Sequence, residues 1–262
     1  MSDIKIFVSC HKPVATVKNS MIYPVQVGAA LTDKRLEGMS YRDNDGKDNI
    51  SSLNKKYCEL TAQYFVYKNV QADYYGFFHY RRYLSFSEKY SHAVAYSAKE
   101  IDENFAARYG LTEETIAKEV EKYDIIMPKP YYIFITNRFM YALAPSGKVK
   151  DLDFCLKVIK RDYPEMYKTA KRYIHCPMSY TCNMFIMRNE LFKNYCAWLF
   201  DILAKFDNEV DCSGYTPVQG RVSGYLAERL LGVYFYWLKK QKKYKFKTLS
   251  RVFIKNTAPK IK

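Results

Sequence analysis

Residues 72–84, ADYYGFFHYRRYL, carry an imidazole and two guanidiniums directly after an apolar run. A guanidinium stays charged and forks onto phosphate oxygens, so His79, Tyr80, Arg81 and Arg82 suit the neutralisation of a diphosphate leaving group without a metal. The plainer alternative is a structural histidine and two arginines paired with acids at a rim. Polar groups crowded behind a buried strand are costly unless used, which favours the first reading. Asp43 to Asn49, with Glu59 further on, form a second group that could hold the uracil or ribose of a nucleotide, or be a surface turn. DNDGKDN lacks the ligand spacing of an EF-hand. In RVSGYLAER, residues 221–229, Arg221, Tyr225 and Arg229 follow one another at helical i, i+4 spacing, and Glu228 falls beside Tyr225. A Glu aimed into a cleft there could deprotonate a sugar hydroxyl; the alternative is a Glu-Arg ion pair on an amphipathic helix. His11 and Asn183, each at one end of an apolar run, could face a ligand or merely fix a turn.

These groups need elements to hold them. The runs at residues 4–8, 23–27, 74–78, 124–127 and 184–187 read as strands. Residues 41–54 read as a loop ending in Ser51 and Ser52, either of which can cap a helix through Tyr57, Leu60, Tyr64 and Tyr67. Ser97 to Glu100 and Thr112 to Glu114 mark helix starts. Asp151 caps a helix that stops before Pro164, and Asn189 caps one lined by Leu191, Tyr195, Trp198, Leu199, Ile202 and Phe206. A last helix carries Val222, Leu226, Leu230, Val233 and Trp237. Alternating strands and helices imply a mostly parallel sheet covered on both faces, with ligands beyond the carboxyl ends of the strands.

Composition bounds the function classes. The chain has 262 residues, a net charge of +15 and 44 aromatics, 26 of them Tyr. Ten Lys or Arg and no acid lie between Lys239 and Lys262, leaving +5 for the first 238 residues. This predicts one domain over 1–238 and a basic, aromatic tail over 239–262. The charge also suggests a nucleic-acid-binding module, but no RNP, KH or zinc-finger signature accompanies it. Seven scattered cysteines without a CxxC pair argue against zinc sites and disulfides. There is no GxGxxG, Walker A, GxSxG or HExxH, and no apolar strand ends in Asp-x-Asp. An acid in MSDIKIFVSCHK, and no long apolar run, predict a cytoplasmic protein with no transmembrane helix.

DNISSLNKKYCELTAQYFVYKN, ADYYGFFHYRRYL, CNMFIM and GYLAERL, in that order over roughly residues 4–238, together resemble a family of bacterial glycosyltransferases long known as a domain of unknown function. It is found in capsule, exopolysaccharide and O-antigen gene clusters. The resemblance implies a GT-A-like, Rossmann-type α/β fold. It also implies transfer of a hexose, galactose or galactofuranose, from a UDP-sugar. His11, Asn49, Asn54, Glu59, Tyr80, Arg81 and Arg82 are then expected at the donor nucleotide, and Asn183, Arg221, Tyr225 and Arg229 at the acceptor. Glu228 and His79 are the catalytic candidates, Glu228 by analogy with inverting GT-A enzymes. No metal ligand is assigned. Either arginines and helix N-termini stabilise the departing UDP, or an acid outside any motif binds Mn²⁺ or Mg²⁺. The tail is expected to dock on the inner face of the cytoplasmic membrane, where a polyprenyl-diphosphate-linked glycan acceptor would be presented. A non-catalytic sugar-binding scaffold is the competing reading.

Overall fold

Apolar side chains on both sides of the first strand dictate a sheet buried on both faces. In the computed structural model, which describes residues 2–259, Ile4, Ile6 and Val8 of β1 (Ile4–Cys10) enter one core and Phe7 enters the other. β1 is followed by β2 (Ile22–Gln26), the short β3 (Tyr41–Arg42), helices α1 (Asn54–Tyr57) and α2 (Leu60–Asn69), then β4 (Tyr74–His79) and β5 (Arg82–Leu84). Next come β6 (Ala95–Ala98), α3 (Phe105–Tyr109), α4 (Glu113–Val120), β7 (Ile125–Pro128), β8 (Tyr131–Tyr132) and α5 (Asn137–Leu143). The chain continues through α6 (Val149–Asp162), α7 (Pro164–Ile174), β9 (Met178–Ser179), β10 (Phe185–Arg188) and the long α8 (Asn189–Glu209). α9 (Val222–Gln241), β11 (Phe246–Leu249) and β12 (Arg251–Ile254) complete it.

Among the described residues ten strands join one mixed sheet, whose main path runs β11-β7-β10-β4-β1-β2-β3. β1 pairs in parallel with β2 on one side and with β4 on the other, in register Ser9 with His79. β10 runs antiparallel between β4 and β7. The chain thus steps outward from β1 to β3, returns through α2, and resumes on β1's other flank. That reversal opens a crevice at the carboxyl ends of β1 and β4.

One face packs against α2, α6, α7, α8 and α9, and the other against α3 and α4. The first core is rich in rings: Tyr75 stacks on Phe192 at 4.3 Å, and Phe77 lies 5.5 Å from both Phe7 and Phe192. Each such pair adds about 1 kcal/mol beyond its area burial. The residues expected to line one face of α8, from Leu191 to Phe206, are buried.

Several local expectations fail for identifiable reasons. The basic segment is not an appended tail: β11 pairs with β7, and β12 pairs with β5 and β6. Val252 and Ile254 are buried, and the surrounding lysines hide this alternation in the sequence. Lys260 to Lys262, also in that segment, lie outside the described residues. The Ser97 capping pattern starts no helix, because Ala95–Ala98 is recruited as a strand by β12. Ser51 and Ser52 open a 3₁₀ turn without side-chain capping, and the expected single helix breaks at Cys58, whose φ is 53°. Asp151 lies inside α6, where it accepts from the Tyr215 hydroxyl at 2.7 Å rather than capping. Pro164 opens α7, and Arg188 rather than Asn189 is the N-cap of α8. The expected Thr112 cap forms, accepting from the Thr115 amide. Among the described residues no helix is long and apolar enough to cross a membrane.

Candidate active site

The crevice at the ends of β1, β2 and β4 opens into a cleft of about 830 Å³. Its floor is strand-derived: Ser9 lies near the end of β1 and His11 just past it, Val27 follows β2, and His79 to Arg82 span β4 to β5. The Tyr80 ring is wedged between the two imidazoles, 4.9 Å from His11 edge-on and 4.3 Å from His79. The backbone amide of Arg81 donates to His79 Nδ1 at 3.2 Å. That bond assigns the remaining proton to Nε2. Burial, reinforced by Arg82, His11, Arg81 and Arg221, pulls His79 down to about 3. Burial also lowers His11, with Lys12 and Arg221 adding to it. Both imidazoles are therefore neutral hydrogen-bonding groups at physiological pH.

No ion pair among the described residues includes Arg81 or Arg82. This removes the alternative of arginines paired with rim acids. Their guanidiniums instead lie 4.9 Å and 5.8 Å from the ring of Phe253 on β12. A ring beneath a guanidinium holds its orientation while leaving its N–H fork free.

The opposite wall is built by the break between α1 and α2. Asn54 Nδ2 donates to the Cys58 carbonyl at 2.7 Å and to Thr61 Oγ1 at 3.0 Å, closing the break. Cys58, Glu59 and Arg221 line the cleft, and Arg221 Nε donates to Cys58 Sγ at 3.2 Å. Burial pushes the Cys58 thiol up, keeping it protonated. Glu59 Oε1 accepts from Asn183 Nδ2 at 2.8 Å. Desolvation still raises its carboxyl above the usual range.

Behind Glu59 the backbone is strained. Cys182 and Asn183 have φ of 84° and 46°, two successive left-handed residues, neither of them Gly. Each costs of order 1 kcal/mol, and such strain clusters at functional sites. Glu228 Oε1 accepts from the Cys182 amide at 3.1 Å, and its other oxygen pairs with Arg229 at 3.2 Å. Asn183 Nδ2 also donates to the Gly224 carbonyl at 3.2 Å, while the buried Asn183 Oδ1 has no partner among the described residues.

His11, Asn54, Glu59, His79, Tyr80, Arg81, Arg82 and Arg221 are thus gathered in the cleft wall. Asn183, Tyr225, Glu228 and Arg229 are not part of its lining; Tyr225 sits under Arg221 at 5.6 Å, and Arg229 is buried against Tyr141. Asn49 is a turn residue, donating to the Gly46 carbonyl and accepting from the Ser51 amide. Asp43 is wholly buried, accepting from the amides of Gly28 and Ala29 at 2.7 and 3.0 Å and from Ser51 Oγ. It pins the Asp/Asn-rich loop to the end of β2. Gly28 is required there: its φ is +67°, and a Cβ would stand 2.8 Å from Asn54 Oδ1. Sequence reasoning missed Ser9, Lys55, Lys56, Cys58 and the 215–220 loop as lining. Only the loop's polarity signalled any of them.

A divalent cation does not fit the donor set. Among the described residues Glu59 is the one carboxylate in the lining, already hydrogen-bonded, and it shares the cleft with Lys55, Lys56, Arg81, Arg82 and Arg221. Among the described residues no three His, Cys, Asp or Glu side chains converge as a metal site. The arrangement can bind a dianion on one wall and hold a carboxylate on the other.

Residues 5–242 match the family described as Domain of unknown function (DUF4422). No curated protein matches the chain. A solved structure, the WbbM bifunctional glycosyltransferase in its apo form, is 36% identical and superposes with a TM-score of 0.92 over 97% of this chain. The match covers 46% of that protein, so the chain spans just under half its length. The shared architecture is a GT-A-like α/β fold.

Proposed function

The chain belongs to the DUF4422 family, and from that premise we propose that it is a glycosyltransferase of bacterial surface polysaccharide synthesis. Its donor is a UDP-hexose, with galactose or galactofuranose the sugar, and its acceptor a polyprenyl-diphosphate-linked glycan. The observation that carries this reading is the pair of guanidiniums, Arg81 and Arg82, without an ion-pair partner among the described residues, beside two neutral imidazoles at the switch point of the sheet. That arrangement suits a diphosphate, whose charge grows as it leaves.

The chemistry is a single displacement. An acceptor hydroxyl oxygen attacks the anomeric carbon as the bond from that carbon to the β-phosphate oxygen breaks. Its proton passes to Glu59, the carboxylate in the cleft wall. The electron pair of the broken bond leaves with UDP, where Arg81 and Arg82 meet it and His79 Nε2–H donates. Glu59 takes the base role expected of Glu228, because Glu228 spends both oxygens on Cys182 and Arg229. Glu228 then acts as a positioning residue for the 182–183 turn that holds Asn183 on Glu59. No step is routed through a metal.

The test is UDP release from UDP-galactose and UDP-galactofuranose with a lipid-linked acceptor. Arg81→Ala is expected to lower turnover about 10²- to 10³-fold, as for loss of a group that stabilises developing charge. No release from any nucleotide sugar by wild type, with binding intact, would favour the scaffold reading instead.

A further inference from the structure

Most large apolar side chains of this chain are buried, yet residues 131–143 expose a contiguous run of them. Phe134 is fully exposed, Tyr132 is 77% exposed and Leu143 64%, with Ile135 and Phe139 beside them. The exposure is built in. Ile135, Phe139 and Leu143 recur at i, i+4 spacing along α5 and its approach, whereas Asn137 and Tyr141 on the opposite side are buried. Asn137 Nδ2 fastens the segment, donating to the carbonyls of Tyr173 at 3.1 Å and Met178 at 2.8 Å. The β8 residues Tyr131 and Tyr132 pair with Ser179 and Met178. The aromatic face is therefore held on a fixed base, with its apolar edge outward. Left in water, such a patch is a liability unless something covers it.

Charge identifies the occupant. Neither residues 125–150 nor residues 166–188 contain an acid, and Asp153 of the adjoining α6 is neutralised by Arg138 at 2.7 Å. Lys171 and Arg172 stand exposed on the last turn of α7, the turn to which Asn137 is bonded. Lys240 extends the basic rim, since Tyr236 beneath it packs 5.9 Å from Tyr173. Aromatic and aliphatic side chains edged by Lys and Arg match the interface of an anionic bilayer, where rings sit at headgroup level and basic groups meet lipid phosphates. A protein partner would need complementary acids; an apolar face with a basic edge needs only anionic lipid.

We propose that residues 131–143 form the face by which this protein docks on an anionic membrane, with Lys171, Arg172 and Lys240 at its rim. The face also communicates with the cleft. Tyr131 stacks at 3.8 Å on Arg251, Arg251 donates to Thr181 Oγ1 at 2.8 Å, and Thr181 leads into the Cys182–Asn183 turn behind Glu59. The purpose of docking, presenting a lipid-linked acceptor to that wall, rests on the function proposed above; docking itself does not.

The experiment is co-sedimentation of the full chain with vesicles of phosphatidylglycerol and phosphatidylcholine in equal parts, compared with phosphatidylcholine alone. Wild type is expected to bind the anionic vesicles, and Phe134→Ser with Phe139→Ser to weaken binding at least about tenfold with an unchanged melting temperature. Lys171→Glu with Arg172→Glu is expected to abolish the preference for anionic lipid. Phe134→Trp is expected to retain binding, with its added emission shifting to the blue on vesicles. Equal sedimentation of wild type and the double Ser variant overturns the proposal, as does a Phe134→Trp emission that vesicles leave unmoved. Self-association of wild type that the Ser variant abolishes, without vesicle binding, also overturns it and assigns the face to a second copy. UDP release from UDP-galactose, read without vesicles, separates the two claims: activity without docking defeats only this inference, and docking without activity defeats only the functional reading.

Discussion

The two walls of the cleft are built on opposite principles. The strand-end wall, His11 with His79 to Arg82, is positioned by parallel register between β1 and β4, and none of its residues has a positive φ. Its charges are cations, left free and steadied by a ring. The helix wall depends on a broken helix at Cys58 and a doubly left-handed turn at Cys182–Asn183, and it holds a desolvated carboxylate. One wall offers charge at little conformational cost, and the other stores strain to hold one acid in place. Leaving-group stabilisation asks only for fixed positive charge, whereas a base must be kept partly dry and aimed.

The comparison can be broken by substitutions on either side. The largest effect is expected from Arg81→Ala combined with Arg82→Ala, which should lower turnover by 10²-fold or more while the melting temperature barely moves, checked by UDP-release kinetics and a thermal melt. Glu59→Gln follows, with a loss of about 10² in kcat. In wild type, activity should fall as pH falls through the raised carboxyl of Glu59, so the acid limb of kcat/KM lies above the usual carboxylate range and disappears in the variant. Glu228→Ala should act differently, releasing the strained turn and costing stability of roughly 1–3 kcal/mol by denaturant titration. Phe253→Ala should raise KM for the donor several-fold without altering that pH limb, as expected if the ring only orients the arginines.

The smallest effect concerns the strand-end wall and pH. His79 is ordinarily near 6.5 and is held at about 3 when folded. The unfolded chain therefore binds a proton that the folded chain refuses between those values, and His79 contributes stability above about 6.5 that is lost as pH falls toward 3. In His79→Asn the acid-side decline in melting temperature should be shallower than in wild type.

The strand-end wall was legible in the sequence because apolar strands followed by charged residues mark where ligands meet an α/β sheet. Arg81, Arg82, His79 and His11 were found on that signal alone. The helix wall was only half legible. Glu59 and Asn183 were singled out, but their pairing joins residues 124 apart, and no local pattern announces it. Nor did local propensity reveal the break at Cys58, which Asn54 stabilises from within the same helical pattern. Composition misled at the C-terminal segment. Its lysine density reads as an appended, membrane-docking tail, whereas β11 and β12 complete the sheet and Phe253 braces the arginines. Removing residues 239–262 is therefore expected to unfold the sheet edge rather than test membrane attachment.

The central claim is that the strand-end wall binds a nucleotide diphosphate through arginine and not through metal. Calorimetric titration of UDP in the presence of EDTA tests it most directly. Wild type should bind, and Arg81→Ala with Arg82→Ala should lose about a hundredfold or more in affinity, the worth of two charge-assisted contacts. Equal affinity in the double variant, or wild-type binding that appears only when Mn²⁺ is added, would contradict the account.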